Sequence, residues 1–117
     1  NAFSGENLGW RLETVVYLEL LRRKAGTEND IYYYQGRSAE ADFVVCDGNK
    51  TLAVYQVSYD ISNEKTRKRE IKGCIAGAKA TKCDNIFLIT DHESEVIEED
   101  GYTIQVIPIW EWLTREA

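Results

Sequence analysis

Residues 51–59 read Thr51-Leu52-Ala53-Val54-Tyr55-Gln56-Val57-Ser58-Tyr59. From Leu52 to Val57 the run is nearly unbroken in apolar character, which predicts a central strand covered on both faces. Gln56 and Ser58 stand two apart, so a strand sends both side chains to one face.

Working outward, Asp47-Gly48-Asn49 is a turn signal. It makes Glu40–Cys46 the preceding strand, and the tyrosine-rich Ile31–Gln35 the one before. Ahead of these, Leu8, Leu12, Val15, Val16, Leu20 and Leu21 recur at helical spacing from about Asn7 to Ala25, with Gly26 as a natural stop. After the central strand, Ser62 or Asn63 caps a helix running to about Ala80, with Ile71, Cys74, Ile75 and Ala78 as its buried stripe. Asn85–Thr90 is a fourth strand. Asp91–Asp100 reads as an acidic loop or short helical turn. Tyr102–Ile107 is a fifth strand ended by Pro108, and Ile109–Arg115 is a short final helix carrying Trp110 and Trp112.

The predicted order is αβββαββα, an α/β fold with a mixed sheet flanked by helices. Its first three strands form an antiparallel meander, and the strand–helix–strand step adds a parallel strand by a right-handed crossover. Connections are short and no repeat or linker is visible, so residues 1–117 read as one domain.

The chain has 117 residues, 44% hydrophobic and 29% charged, an ordinary globular balance. No apolar run is long enough to span a bilayer and no signal peptide is present, so the expectation is a cytoplasmic protein without membrane contact. Methionine is absent, and Asn1-Ala2 reads as a cleavage scar, which predicts a fragment of a longer polypeptide. Cys46, Cys74 and Cys83 form no C-x-x-C pair and read as core thiols. Twenty acidic residues against 14 basic ones give a net charge of −6, which argues against tight nucleic-acid binding by the domain as a whole.

Two acids stand where strand and helix patterns disfavour them. Glu13 has Val16, Tyr17 and Leu20 as neighbours at helical spacing, so its carboxylate lies beside the apolar stripe. A partly buried acid needs a partner, a metal or a raised pKa. Asp42 lies mid-strand between Ala41 and Phe43, against propensity. A three-residue loop at Gly48-Asn49-Lys50 sets Asp42 opposite Gln56; a two-residue loop does so only if a bulge restores the register.

The order α-β-β-β-α-β, with these residues on it, resembles the core of the PD-(D/E)XK nuclease-like superfamily. More narrowly, the chain is similar to the carboxy-terminal nuclease-like domain found behind an AAA+ ATPase module in many bacterial and archaeal proteins of unknown function. The matching stretches are Leu12–Leu20, Ala39–Val45, Tyr55–Ser58, Arg69–Ile71, Ile86–Thr90 and Val106–Trp110.

The resemblance implies a restriction-endonuclease-like core and an N-terminal AAA+ ATPase domain in the same polypeptide as partner. In active members it further implies an acid on the first helix, an Asp on the second strand and Glu-x-Lys on the third, with magnesium on the carboxylates activating water. Carried over residue by residue, the catalytic positions are Glu13, Asp42, Gln56 and Ser58, with Glu13 and Asp42 as the metal pair. Gln56 and Ser58 keep the spacing of Glu-x-Lys and lose both charges.

The second helix opens on Lys65, Arg67, Lys68, Arg69 and Lys72, although cations there run against the helix dipole. Arg67, Lys68, Arg69 and Lys72 are the candidate nucleic-acid contacts, and Arg67 or Lys68 the candidate replacement for the lost lysine. The plainer reading is a solvated basic face paired with Glu64 and Glu70.

These observations predict a divergent, catalytically inactive accessory domain of an AAA+ ATPase, acting through protein interaction or weak nucleic-acid contact. The alternatives are an active magnesium-dependent DNA nuclease, using Glu13 and Asp42 with a relocated base, and a DNA-binding module without cleavage.

Overall fold

A computed structural model describes residues 5–36 and 40–115. Asn1-Ala2, and Ala39 of the Ala39–Val45 stretch, lie outside the described residues. The elements are α1 (Gly5–Lys24), β1 (Asn29–Gln35), β2 (Glu40–Asp47), β3 (Lys50–Val57), α2 (Glu64–Thr81), β4 (Ile86–Thr90), β5 (Glu95–Glu99), β6 (Tyr102–Pro108) and α3 (Ile109–Thr114). The six strands form one mixed sheet in the order β1-β2-β3-β4-β6-β5. The β1-β2-β3 meander is antiparallel, β4 adds to β3 in parallel, and β6 adds to β4 in parallel.

One difference from the sequence reading is β5. Three glutamates in Glu95-Val96-Ile97-Glu98-Glu99 argue against a strand by propensity. The segment is nevertheless an edge strand, antiparallel to β6. Charge on an edge strand is tolerated because one side faces solvent, and it discourages pairing with other chains. The local cause is Asp100-Gly101, whose φ values of 54° and 79° supply the two left-handed positions of a tight hairpin.

β3 sits inside the sheet and alternates as its sequence demands. Ala53, Tyr55 and Val57 pack with Leu12, Val16 and Leu20 of α1 and with Trp112 of α3. Val54 faces the other side with Ala41, where α2 lies. There Cys74 and Ala78 pack with Ile86, Leu88, Ile104 and Val106. Each such fully buried aliphatic side chain contributes about 1.5–3 kcal/mol.

Asn63 caps α2 by accepting from the Thr66 backbone N–H at 3.1 Å. The face of α2 that meets the sheet is turned one residue from the predicted stripe. Glu70, Gly73, Cys74, Gly77 and Ala78 are buried, while Ile71 and Ile75 pack at the flank of the second core. The two glycines are the reason. A Cβ on Gly73 would lie 2.5 Å from the Glu40 carbonyl oxygen, and one on Gly77 would lie 2.8 Å from Ala41 Cβ. Helix and sheet therefore meet backbone to backbone along this stripe.

α3 is held by Trp112, 2% exposed. The Arg23 guanidinium lies 4.4 Å from its ring centroid and donates to the Trp112 carbonyl at 2.7 Å. The three cysteines are free thiols, with Cys74 and Cys83 buried as expected. Among the described residues no helix is long and apolar enough to cross a membrane.

Candidate functional site

Glu13, Asp42, Gln56 and Ser58 gather where α1 and α2 approach the carboxyl end of β3. The hairpin between β2 and β3 is a two-residue turn, since Asp47 pairs with Lys50. A bulge between Val45 and Cys46 then restores the register, so that Phe43 pairs with Tyr55 and the next position sets Asp42 across from Gln56. β2 also bulges on its other side, because Tyr32 pairs with Val44 while Tyr34 pairs with Ala41.

Asp42 lies in that irregular stretch, and side chains close the ladder there. The Val57 backbone N–H donates to Asp42 Oδ2 at 2.8 Å. The Asp42 backbone N–H donates to Gln56 Oε1 at 3.0 Å. This answers why an aspartate is tolerated mid-strand: its carboxylate accepts from a β3 backbone donor that lies past the last β2–β3 pair, Phe43 with Tyr55.

The other half of the Gln56 amide points to α2, where Nε2 donates to Glu70 Oε2 at 2.8 Å. Glu70, which the sequence places on a solvated basic face, is instead buried. Its signal was present, because Glu70, Gly73, Cys74 and Gly77 recur at i, i+3, i+4 and i+7. Two glycines and a charged residue give that stripe no apolar signature. Arg69 reaches Glu70 Oε1 at 3.5 Å from a largely exposed position.

A cavity of about 530 Å³ opens here, lined by Trp10 and Glu13 of α1, Ser58 and Asp60 beyond β3, and Arg69 and Glu70 of α2. Ser58 is buried, with its Oγ 3.4 Å from the Asp60 carbonyl oxygen. Asp42 and Gln56 stand behind the cavity, coupled to it through Val57 and Glu70.

The electrostatics are those of crowded acids. Burial, then the neighbouring Glu13, push the Asp42 carboxyl up to about 7, against the pull of the Val57 N–H. Burial raises Glu13 as well. Burial raises Glu70, opposed by its hydrogen bond from Gln56. Nearby, the Tyr33 hydroxyl donates to Glu40, which with burial lifts Tyr33 to about 12.

The basic run of α2 splits across faces, as successive residues on a helix must. Arg67 makes a two-pronged ion pair with Glu95 of β5, at 2.8 and 2.7 Å. Lys68 and Lys72 line a separate groove of about 960 Å³ between α2 and β5. Of the four candidate contacts only Arg69 borders the acidic cavity. Neither Arg67 nor Lys68 lines it.

The oxygen donors are of the type magnesium prefers. Their arrangement does not fit a preformed metal centre. Among the described residues no three His, Cys, Asp or Glu side chains group closely enough to hold an ion, and Asp42 Oδ2 and Glu70 Oε2 already accept hydrogen bonds.

The model of the domain of unknown function DUF4143 matches residues 8–112, from the first turns of α1 to the core tryptophan of α3. The chain belongs to the DUF4143 family. The uncharacterized protein MJ1544 of Methanocaldococcus jannaschii is 33% identical, over 92% of this chain and 25% of its own length. In three dimensions this DUF4143 domain is similar to a chain of a solved structure described as the refined half-complex from the tetradecameric assembly of Thermococcus gammatolerans McrB AAA+ hexamers with bound McrC. The TM-score is 0.55 at 13% identity, covering 85% of this chain and 27% of that one. At that identity the likeness is one of fold. The chain thus spans about a quarter of the length of each.

Proposed function

We propose that this DUF4143 domain is a PD-(D/E)XK nuclease-like accessory module, without phosphodiesterase activity, that serves an AAA+ ATPase in the same polypeptide through protein contacts. The observation that carries the proposal is the Gln56 amide, fully engaged between the Asp42 backbone N–H and the Glu70 carboxylate. It occupies the position of the third-strand acid, and Ser58 occupies that of the lysine. Electrostatic stabilisers in active sites are typically worth about 3–4 kcal/mol each, so their loss removes most of a rate enhancement. The ATPase context is supported by the ordered motif resemblance and by the fold likeness to a chain from an AAA+ assembly. A relative about four times as long has room for such a module. The net charge of −6 favours protein contact over tight nucleic-acid binding.

Supercoiled plasmid incubated with the full-length protein and magnesium or manganese tests the reading, with Asp42→Ala alongside. The expected result is no metal-dependent nicking by either protein. Nicking that disappears in Asp42→Ala would overturn it. That outcome favours a second reading, an active magnesium-dependent nuclease with Glu13, Asp42 and a basic residue on α2. The second reading is supported by the mutual influence of Glu13, Asp42 and Glu70 and by Arg69 at the cavity wall.

A further inference from the structure

α1 is apolar on more than the face it buries. Trp10 is 69% exposed, and Tyr17, two turns on, is 42% exposed. Trp10 and Tyr17, with Thr14 and Phe43, line a cleft of about 260 Å³ in which Glu13 stands between the two rings along the helix. Tyr17 stacks on Phe43 with centroids 5.6 Å apart, which fixes one wall. Trp10 and Glu13 belong to this cleft and to the acidic cavity alike, so the two are continuous. No hydrogen bond or ion pair within the described residues engages Glu13.

We infer that this cleft receives an arginine side chain from a partner protein, its guanidinium stacked on Trp10 and Tyr17 and paired with Glu13. The inference deepens the accessory reading and rests on it, by naming the chemistry of the protein contact.

Charge complementarity selects the occupant. Glu13 is backed by Asp42 and Glu70, whose fields act on one another, and Arg69, the cation at the cavity wall, is turned to Glu70. A phosphate would meet repulsion from every carboxylate here. A guanidinium meets two aromatic rings and a carboxylate that no described residue engages, the surroundings that its flat, weakly hydrated charge prefers over those of an ammonium. The indole also lies largely in solvent, so packing among the described residues does not account for it.

Titration of the chain with acetyl-Gly-Arg-Gly-amide, followed by the indole N–H resonance of Trp10, tests the inference. The citrulline peptide, identical in shape and uncharged, is the control, and Trp10→Ala identifies the resonance. The expected result is a saturable shift with the arginine peptide, weakened about tenfold or more with citrulline, as for loss of a charge-assisted pair. Trp10→Ala, at an exposed position that leaves the fold intact, should weaken binding about two- to fivefold, read from the amide resonances around Glu13. Glu13→Gln should weaken it further. Equal response to both peptides, no saturable shift, or binding unchanged by both variants would overturn the inference. So would a single-stranded oligonucleotide that shifts Trp10 in preference to the peptide. Because the readout involves neither DNA cleavage nor ATP hydrolysis, this result stands or falls apart from the plasmid test.

Discussion

Gln56 Nε2 donates to Glu70 Oε2 across 2.8 Å, tying the end of β3 to the buried face of α2 at the level of Gly73. The same amide accepts from the backbone of Asp42, so one side chain joins three elements around the acidic cavity. A neutral residue at this position therefore has a structural task that a carboxylate could not perform. It supplies a donor to Glu70 and an acceptor to a backbone N–H at once.

Replacing Gln56 tests that dual role. Gln56→Leu keeps the volume and leaves the Asp42 N–H and a Glu70 oxygen without partners. Each orphaned buried group is expected to lower stability by about 1–3 kcal/mol, read from urea unfolding. Gln56→Glu places at this position the acid that the sequence resemblance implies, but sets a third carboxylate against Asp42 and Glu70. It should be destabilised most at high pH and recover as acid protonates it, since a protonated Glu can again donate. A Gln56→Glu protein as stable as the parent at about pH 8 would contradict the bridging role.

Gly73 is required by proximity rather than by backbone conformation. Gly73→Ala drives a methyl toward the Glu40 carbonyl oxygen and the Gln56 amide, at 2.5 and 2.8 Å. The expected loss is about 1–3 kcal/mol, with disturbance of the Gln56–Glu70 bond. Gly9 of α1 is the control, since a Cβ there meets nothing within 4 Å. Gly9→Ala should stabilise the helix by about 0.5–1 kcal/mol. Unfolding midpoints of the two variants should move in opposite directions.

Asp42 gives stability a pH dependence of definite sign. Its carboxyl moves from an ordinary 3.8 up to about 7 in the folded chain, so the folded state holds a proton that the unfolded state releases. The associated stabilisation is complete below the unfolded pKa and is lost as pH rises toward about 7. Raised Glu13 and Glu70 act in the same direction. Glu19, held down at about 2 by hydrogen bonds from Arg22 and Arg23, acts only in stronger acid and with the opposite sign. Between about pH 5 and pH 8 unfolding free energy should fall by about 1–3 kcal/mol, allowing for partial solvent access. Asp42→Asn keeps an acceptor for the Val57 N–H and removes the charge, so its profile should be flatter and its stability at the alkaline end higher. A parent protein that gains stability over this range would refute the assignment.

Arg23 secures the carboxyl-terminal helix. It stacks on Trp112 and donates to the carbonyl oxygens of Trp112 and Arg115, at 2.7 and 3.1 Å. Arg23→Lys retains the charge but not the planar fork, and should lower stability by about 1–2 kcal/mol. Trp112→Ala should cost about 3–5 kcal/mol. Hydrogen exchange in α3 should rise in Arg23→Lys before it rises in the sheet.

Local sequence determined most of the framework. The apolar run Leu52–Val57, the turn at Asp47-Gly48-Asn49, a cap at Ser62 or Asn63 and the helical spacing of Leu12, Val16 and Leu20 each act over a few residues, and each appears in the fold, with Asn63 as the cap. The convergence of Glu13 and Ser58 on one cavity, with Asp42 and Gln56 behind it, is what the family resemblance implies, and no local pattern supplies it. Tertiary structure decided the rest. The edge strand Glu95–Glu99 exists because β6 offers it a partner, although its own glutamates disfavour extension. The bulges that aim Asp42 at the Val57 N–H arise from pairing on both sides of β2. Glu70 turns inward because Gly73 and Gly77 let α2 settle closely on the sheet, and Arg67 turns outward because Glu95 is there to receive it. Hydrophobic period and turn chemistry are properties of neighbours along the chain. The partner of a charge is set by whatever the folded backbone brings within a few ångströms, which no local pattern encodes.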